Sequence, residues 1–456
     1  MNKNTKLNKI IITLCVIELI LILFFLAYLL VYSLVVGGDS LIMSPTLYAC
    51  VFFMLMIPIG MVFYYIALKN NKRNVYKFER EEAVTTRKGN NPVKEVKYQR
   101  FSELIELDNS ENKKVASINY DLVTSLEEFA NQFRNYCASQ KNLFYSIDDV
   151  RSFIANLATS KIMILQGMSG TGKTSIALAF EDFIGNQTTV IAVQPMWKER
   201  SDLIGYFNEF TKKFNETPLL KELYRSNFSD QIFIIVLDEL NIARIEYYFA
   251  EFLSLLEYPN ENQRTLEITN DSWSRDPKLL ENGRLKIKSN VYFIGTANND
   301  ESTFAISDKV YDRAMIINLN KKASKFEKTP QNRFKISNSN FEKLVNDSVN
   351  NYKDLAKLTK WINDFNNLIV SYFNINFGNR MVNQLKKYVP VYVACGGKEE
   401  DAFDDFVSKK ILRKLEGKDA LRISNSINPF IEELNANFGK DSLHKSKAYL
   451  ENFLIK

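Results

Sequence analysis

Histidine is almost missing from this sequence, since His444, near the carboxyl terminus, is the only one among 456 residues. A single histidine cannot supply the several imidazole ligands of a typical zinc site. A histidine general base would have to come from this tail segment. Histidine metal sites and histidine-based catalysis are therefore almost excluded as functions.

Cysteine is scarce as well. The chain has four, Cys15, Cys50, Cys137 and Cys395, and the first two lie inside apolar runs. Their spacing fits neither a metal-binding motif nor a paired disulfide framework, which indicates a reducing compartment. Low-complexity tracts are also absent, and the chain is long enough for two or three domains.

Most of the chain lacks the excess of positive charge that is typical of nucleic-acid-binding domains. The formal net charge is +6, but residues 1–78 alone contribute +5, because their seven lysines and arginines are opposed only by Glu18 and Asp39. The remaining residues are nearly neutral. Direct nucleic-acid binding is therefore not indicated.

Two long apolar runs, at about residues 10–36 and 46–68, are joined by the short loop 37–45. Each is longer than the roughly 20 residues that a helix needs to cross a bilayer. Lysines and arginines flank the outer ends of the pair, whereas the loop carries only Asp39. The positive-inside rule then predicts a two-pass transmembrane hairpin within residues 1–78, with both termini in the cytoplasm.

Glu18 lies within the first run, where a charged carboxylate costs ~3 kcal/mol at the centre of a bilayer. Snorkelling, a hydrogen bond between the two helices and a functional role all remain open for it. A cleaved signal peptide fits less well, because its apolar core would be shorter and no A-x-A-like site follows the run.

Residues 167–174 read Gly-Met-Ser-Gly-Thr-Gly-Lys-Thr and fit the phosphate-binding pattern G-x-x-x-x-G-K-[ST]. An apolar run of strand length (161–166) precedes them, and an amphipathic helical pattern (175–183) follows, which is the context that the motif requires. The glycines let backbone N–H groups approach phosphates, and the helix start adds its positive dipole end. The predicted nucleotide-binding residues are Gly167, Gly170, Gly172, Lys173, Thr174 and Ser175.

Within this loop, Lys173 is expected to contact the β- and γ-phosphates, and the Thr174 hydroxyl is expected to bind Mg²⁺. A second half of the site follows the β-rich run 232–237, which ends in Asp238 and Glu239. Acidic residues at the carboxyl end of a parallel strand lie at the ligand edge of an open α/β sheet. We expect Asp238 to hold the Mg²⁺ shell and Glu239 to orient and deprotonate the attacking water.

A third strand pattern (290–295) leads to Asn298, whose amide could hydrogen-bond the water or the γ-phosphate; a simple strand-end turn is the alternative. Arg313 comes just before a further apolar run, 314–317. An arginine supplied across a subunit boundary would neutralise charge that develops in phosphoryl transfer. An ion pair with Asp312 is the plain alternative for Arg313.

Together these motifs resemble the AAA+ ATPases of the McrB-like and MoxR-like (dynein-related) group, close to the motor subunit of modification-dependent restriction systems. The resemblance covers about residues 147–319. Its matching stretches are 167–174, 193–197 with 202–207, 237–244 with 247–253, 295–298 and 309–313.

The resemblance implies an α/β P-loop AAA+ core, with a parallel five-stranded sheet between helices, an inserted hairpin at 264–288 and a helical lid. It also implies a hexameric ring of copies of the chain, in which Arg313 acts on a neighbour's nucleotide. Trp197 would face ring partners or the pore, and a buried tryptophan is an equally good interpretation. Residues 297–302 differ from the Met-Asn-Thr-Ala-Asp-Arg-Ser of the restriction motors, so ATP and GTP both stay open as the nucleotide.

The expected domains are the hairpin at 1–78, a polar tether and helical lead-in at 79–145, the nucleotide-binding core at 146–325 and a helical lid with closing helices at 336–456. Within 119–140 one apolar stripe predicts a helix that packs on the core or against a neighbouring chain. Arg380, at a helix start in the lid, could contact the γ-phosphate as a second sensor; a solvated arginine is the alternative. The basic cluster at 409–414 is interpreted as a solvated face.

The sequence thus favours a membrane-anchored ring NTPase that hydrolyses ATP, or GTP, with Mg²⁺ to remodel or drive an unidentified protein partner. A motor of a defence system is a setting implied only by the resemblance. The alternatives are a nucleotide-gated membrane scaffold with little turnover and a MoxR-like chaperone. The presence of Glu239, Asn298 and Arg313 favours turnover, because a pure switch could lose them.

Overall fold

The structure is a computed structural model that describes residues 99–115, 118–121, 123, 125–168, 170–298, 303–319 and 323–454. The two predicted transmembrane runs and Glu18 lie outside these residues. In the part of the chain that is described, no helix has the length and apolar character needed to cross a bilayer.

Ten strands and fifteen α-helices are found among the described residues. The strands are β1 (Ile162–Gln166), β2 (Thr189–Ala192), β3 (Phe207–Asn208), β4 (Lys213–Phe214), β5 (Phe233–Asp238), β6 (Thr265–Glu267), β7 (Leu280–Glu281), β8 (Arg284–Lys286), β9 (Val291–Ala297) and β10 (Met315–Asn318). The helices of the amino-terminal half are α1 (Glu103–Val115), α2 (Leu126–Lys141), α3 (Ile147–Thr159), α4 (Lys173–Phe183), α5 (Arg200–Ile204), α6 (Pro218–Arg225), α7 (Ile245–Tyr248) and α8 (Ala250–Leu255). Those that follow are α9 (Asp308–Tyr311), α10 (Asn338–Asn350), α11 (Leu355–Phe373), α12 (Asn379–Ala394), α13 (Glu399–Phe406), α14 (Ala420–Phe438) and α15 (His444–Glu451).

Five of the strands form one parallel sheet in the order β10-β1-β9-β5-β2. Successive side chains of a strand point to opposite faces, so each strand contributes to two cores. Met163 and Leu165 of β1 pack with α2, α3 and α4 on one face, whereas Ile162 and Ile164 pack with α6, α7 and α8 on the other. This is the parallel five-stranded sheet between helices that the family resemblance implies.

The helix predicted within 119–140 begins at Leu126, and its apolar stripe packs on the nucleotide-binding core. Phe133 lies within 5.1 Å of the Phe180 ring and within 5.5 Å of the Phe183 ring, both on α4. The next helix, α3, starts as its capping pattern predicts, because the Ser146 side chain accepts a hydrogen bond from the Asp149 N–H. Packing on the core is therefore the interpretation that the structure supports for this stripe.

The insertion predicted at 264–288 contains three short antiparallel strands, in the order β6-β8-β7. Arg100, which is 3% exposed, anchors the first described residues to this insertion through ion pairs. Its guanidinium contacts the carboxylates of Asp271 and Asp276 at 2.6 Å each and lies 4.5 Å from the centre of the Trp273 ring. Trp197 is half-buried against Tyr248, with ring centroids 5.5 Å apart.

Candidate nucleotide-binding site

The loop between β1 and α4 closes around the side chain of Lys173. Gly170 (φ 77°) and Gly172 (φ 91°) adopt the left-handed conformation that favours glycine. The Lys173 ammonium donates to the carbonyl oxygens of Gly167 (2.7 Å) and Met168 (2.8 Å). The loop thus places a buried cation at the amino terminus of an eleven-residue helix, where backbone N–H groups and the helix dipole also favour an anion.

Tyr145 supports this loop from the segment that precedes α3. Its hydroxyl donates to the Gly172 carbonyl at 3.2 Å, and burial raises the pKa of Tyr145, which keeps the proton in place for this bond. A side chain at position 172 would meet the same hydroxyl. The sequence did not reveal Tyr145, because nothing in its local pattern links it to a loop 27 residues later.

The carboxylate of Asp238, at the end of β5, faces the phosphate-binding loop. Its Oδ1 accepts hydrogen bonds from the Thr174 hydroxyl (3.1 Å) and from the Thr296 hydroxyl (2.7 Å) of the neighbouring strand β9. The Thr296 oxygen also accepts from the Glu239 N–H at 2.9 Å. Thr296 therefore holds both acidic residues in place, and it is a site residue that the sequence motifs do not identify.

Glu239 follows Asp238 with a positive φ of 54°, which is uncommon for a residue other than glycine. Such backbone strain is kept where the surrounding structure imposes it, and it occurs often in active sites. Here the Glu239 N–H bond to Thr296 and the Leu240 N–H bond to the Thr296 carbonyl (2.8 Å) fix the turn. The two consecutive carboxylates are consequently held by β9 as well as by their own strand.

The groups around Asp238 include oxygen atoms that suit a magnesium ion. The Thr174 hydroxyl and the Asp238 carboxylate, 3.1 Å apart, are the hard oxygen ligands that Mg²⁺ prefers. Within the described residues, no group of three or more His, Cys, Asp or Glu side chains could hold a metal ion. Mg²⁺ that arrives with a nucleotide needs only one or two protein ligands, with phosphates and water supplying the others. The Thr174 hydroxyl and the Asp238 carboxylate therefore fit a Mg²⁺ ion that binds together with a nucleotide.

Asn298 follows β9, the strand between β1 and β5, and so lies at the same edge of the sheet as Asp238. Its side-chain oxygen is buried without a hydrogen-bond partner among the described residues. The Asn298 carbonyl accepts from the Asn241 amide at 2.8 Å and from the Thr303 hydroxyl at 3.0 Å. A buried amide oxygen that is held in this way can accept a hydrogen bond from a water or another donor in the site.

Arg313 and Arg380 lie together at the opposite edge of the sheet, where β1 and β10 begin. Both contact the carboxylate of Glu257, Arg313 through Nε at 3.2 Å and Arg380 through Nη2 at 2.7 Å. They line one cavity with Ser160 and Ile162, at the start of β1, roughly 15 Å from the loop that follows its end. The alternative pairing of Arg313 with Asp312 is not seen, because Asp312 pairs with Lys414 at 3.1 Å.

The structure places Arg380, the predicted second sensor, away from the phosphate-binding loop of its own chain. Helix α12 begins at Asn379, beside the strand starts, and the Arg380 side chain is held there by Glu257.

The basic cluster at 409–414 is not a solvated face, and that interpretation was wrong. A π-helical turn, Val407–Ile411, breaks the α-helical register and points Lys410 inward, where its ammonium donates to the carbonyls of Tyr311 and Ala314 at 2.5 Å each. Burial lowers the pKa of Lys410 to about 7. Arg413 lies 3.1 Å from the centre of the Tyr311 ring. The carboxyl-terminal region, through Lys410 and Arg413, therefore packs against the segment that carries Arg313.

Known protein families match two parts of the chain. Residues 162–314 match the AAA domain (dynein-related subfamily), and residues 327–455 match a domain of unknown function (DUF8727). A curated relative is the type IV methyl-directed restriction enzyme EcoKMcrB subunit of Escherichia coli (strain K12), 25% identical over 203 residues. The match covers 38% of this chain and only 39% of that relative.

Solved structures with a similar arrangement include a candidate ATPase from Cytophaga hutchinsonii, with a TM-score of 0.44, 14% identity, and coverage of 72% of this chain and 97% of that one. A full-length MCM homolog from Methanopyrus kandleri has a TM-score of 0.37 and 10% identity, and covers 61% of this chain and 58% of that one. At these scores neither similarity bears on function.

Proposed function

We propose that the AAA domain of this chain is a Mg²⁺-dependent nucleoside triphosphatase that hydrolyses ATP, with GTP as the other candidate nucleotide. The observation that carries the proposal is the hydrogen-bonded group that joins Thr174, Asp238, Thr296 and Glu239 beside the ammonium of Lys173. Anion-binding groups and two carboxylates thereby meet at one edge of the sheet. This combination serves phosphoryl transfer rather than simple anion binding.

Each residue has a step in the proposed reaction. The loop N–H groups and Lys173 bind the β- and γ-phosphates and neutralise charge as the γ-phosphoryl group leaves. Glu239 orients a water in line with the γ-phosphorus and accepts its proton. Asn298 uses its buried side-chain oxygen to accept a hydrogen bond from the same water. Thr174 and Asp238 would hold Mg²⁺, which would supply positive charge beside the triphosphate.

Arg313 and Arg380 point to catalysis between copies of the chain. Since they lie at the edge opposite the phosphate-binding loop, each chain would offer them to the nucleotide of its neighbour. A head-to-tail contact of this kind closes into a ring when the rotation allows it. The proposal includes a ring, a hexamer by the family resemblance, and anchoring of that ring in a membrane through residues 1–78.

The ring would convert hydrolysis into remodelling of a protein partner. The distant similarity to a restriction-enzyme subunit favours a motor in a defence system over other settings. The described residues give no reason to assign DNA as the direct ligand, because the positive charge of the sequence is concentrated in residues 1–78.

The test compares ATP turnover by the full chain in detergent with turnover by Glu239→Gln, which keeps the size of the side chain and removes the base. Turnover should fall by about 10²–10⁴-fold while nucleotide binding is retained. Thr303→Val, which removes the hydroxyl bond to the Asn298 carbonyl, serves as a milder neighbouring variant. If wild type and Glu239→Gln both bind nucleotide and are equally inactive, the motor hypothesis is contradicted and a nucleotide-gated scaffold is favoured instead.

A further inference from the structure

A strongly basic cavity lies at the edge of the sheet where β1 and β10 begin. It has a volume of about 660 Å³. Five cationic side chains line it against a single carboxylate; they are Lys161, Arg264, Arg313, Arg380 and Lys387, and the carboxylate is Glu257. We call it the basic cavity. Three of the five cations have no part in the function proposed so far.

Arg264 is the most deeply placed of these cations, with 7% of its surface exposed. Its Nε donates to the Tyr258 carbonyl at 2.7 Å, which fixes the guanidinium. Its Nη1 is buried and has no hydrogen-bond partner among the described residues. A buried guanidinium with an unused donor is costly unless an anion joins it.

The two lysines of the basic cavity share one nearby carboxylate, that of Glu342. Burial lowers the pKa of Lys161 to about 7 and lowers the pKa of Lys387, and nearby cations add to the effect on Lys161. The only carboxylate that pairs with Lys161 is Glu342, at 3.3 Å, among the contacts of the described residues. Glu261, nearby, is engaged with Lys286 at 3.0 Å.

Glu257 is placed where it neutralises two cations at once. Its two carboxylate oxygens contact Arg313 and Arg380, at 3.2 Å and 2.7 Å. The Arg313 contact is an ion pair without a well-aligned hydrogen bond at Nε. Five cations against Glu257, with Glu342 beside three of them, leave the cavity with room and positive charge for a further anion of several oxygens.

We propose that the basic cavity binds the terminal phosphates of a phosphorylated anion, with Arg264 and Lys387 as ligands beside Arg313 and Arg380. Glu257 acts as a counter-ion that holds the two arginines until the phosphates displace it. The inference rests on the proposed function for its principal source of phosphate, which is the nucleoside triphosphate bound by a neighbouring chain. A free anion such as inorganic pyrophosphate has the same chemistry.

Mixtures of two inactive variants test the neighbour's nucleotide as the source. Lys173→Ala removes the chain's own nucleotide binding and leaves its basic cavity intact, whereas Arg264→Gln impairs the cavity and leaves the phosphate-binding loop intact. In a random 1:1 mixture, about one quarter of head-to-tail interfaces join an intact loop to an intact cavity. ATP turnover should therefore rise well above that of either variant alone. A role of Arg264 within its own chain would give no recovery.

The mixing experiment is repeated with Lys387→Gln in place of Arg264→Gln. Because this variant leaves the buried Arg264 unchanged, the proposal stays testable even if Arg264→Gln does not fold. The matched controls are Lys386→Gln, next to it on α12, and Arg284→Gln on the insertion. Neither residue lines the basic cavity. Both controls should keep wild-type turnover.

Arg313→Ala mixed with Lys173→Ala separates the inference from the proposed function. Recovery in this mixture but not in the Arg264→Gln and Lys387→Gln mixtures would overturn the role of Arg264 and Lys387 and leave the ring ATPase standing. If no mixture recovers, catalysis between chains fails and the inference fails with it.

Calorimetric titration of inorganic pyrophosphate into Lys173→Ala, whose own loop is impaired, tests a free anion as the source. Binding that is lost in the double variant Lys173→Ala with Arg264→Gln would assign the cavity to free phosphates. Recovery in the mixtures without pyrophosphate binding would assign it to the neighbour's nucleotide. The absence of both results would overturn the proposal.

Discussion

Glu181 is a fully buried carboxylic acid on α4, the helix that starts with Lys173 and Thr174. Its Oε1 accepts a hydrogen bond from the Ile234 N–H of β5 at 3.0 Å, whereas its Oε2 is buried without a partner among the described residues. Burial raises the pKa of Glu181 from 4.5 to about 8. At neutral pH the folded protein therefore keeps this side chain neutral, and the unfolded chain ionises it.

The sign of the effect on stability follows from this difference. Below pH 4.5 the carboxyl is protonated in both states, so Glu181 causes no pH dependence there. Between 4.5 and about 8 the folded state binds one more proton, so the free energy of unfolding falls as the pH rises. The slope is at most about 1.4 kcal/mol per pH unit, which gives at most about 2.7 kcal/mol between pH 5.5 and 7.5.

Glu181→Gln removes the ionisation and keeps an oxygen that can accept the Ile234 hydrogen bond. We expect the variant to gain stability relative to wild type as the pH rises from 5.5 to 7.5. The assay is urea unfolding of the full chain at several pH values, compared as the difference between the two proteins, because Lys161 and Lys410 also titrate near pH 7. The same substitution at exposed Glu432 is the control. Parallel profiles for wild type and Glu181→Gln would refute the reasoning.

Three further variants test other contacts of the structure. Thr296→Val keeps the shape of the side chain but removes its hydrogen bonds to Asp238 and Glu239. ATP turnover, measured by steady-state kinetics, should fall about tenfold or more, while circular dichroism should show little change in fold. Lys410→Met removes the donor to the carbonyls of Tyr311 and Ala314, which flank Arg313. We expect ATP turnover to fall roughly tenfold while the affinity for nucleotide stays unchanged. A loss of nucleotide affinity would contradict a positioning role for Lys410. Arg100→Ala leaves Asp276 unpaired, and the midpoint of urea unfolding should drop by the equivalent of about 3 kcal/mol; an unchanged midpoint would contradict the anchoring role of Arg100.

The phosphate-binding half of the site could be predicted from the sequence because its determinants are local. A short apolar strand, three glycines and Lys173 lie within one stretch, and the strand that ends in Asp238 and Glu239 is equally compact. Parallel strands bring such ends to one edge of a sheet, so the meeting of the two stretches follows from topology.

The supporting contacts could not be predicted in the same way. Thr296 and Tyr145 act on residues that lie far away in the chain, and no local pattern marks them. The role of Glu257 follows only from the structure, in which its carboxylate contacts both Arg313 and Arg380. Regular helical spacing places Lys410 on the surface, whereas a π-helical turn shifts its register and buries it; the sequence pattern does not indicate such a turn.

The central claim is that one triphosphate with its magnesium binds between Lys173 with Thr174 and the carboxylates of Asp238 and Glu239. Calorimetric titration of Mg-ATP and Mg-GTP into the folded full chain tests this most directly, with Lys173→Ala measured alongside. The account predicts saturable binding of at least one nucleotide to wild type and a loss of that binding in Lys173→Ala. A folded wild-type protein that binds neither nucleotide would contradict it.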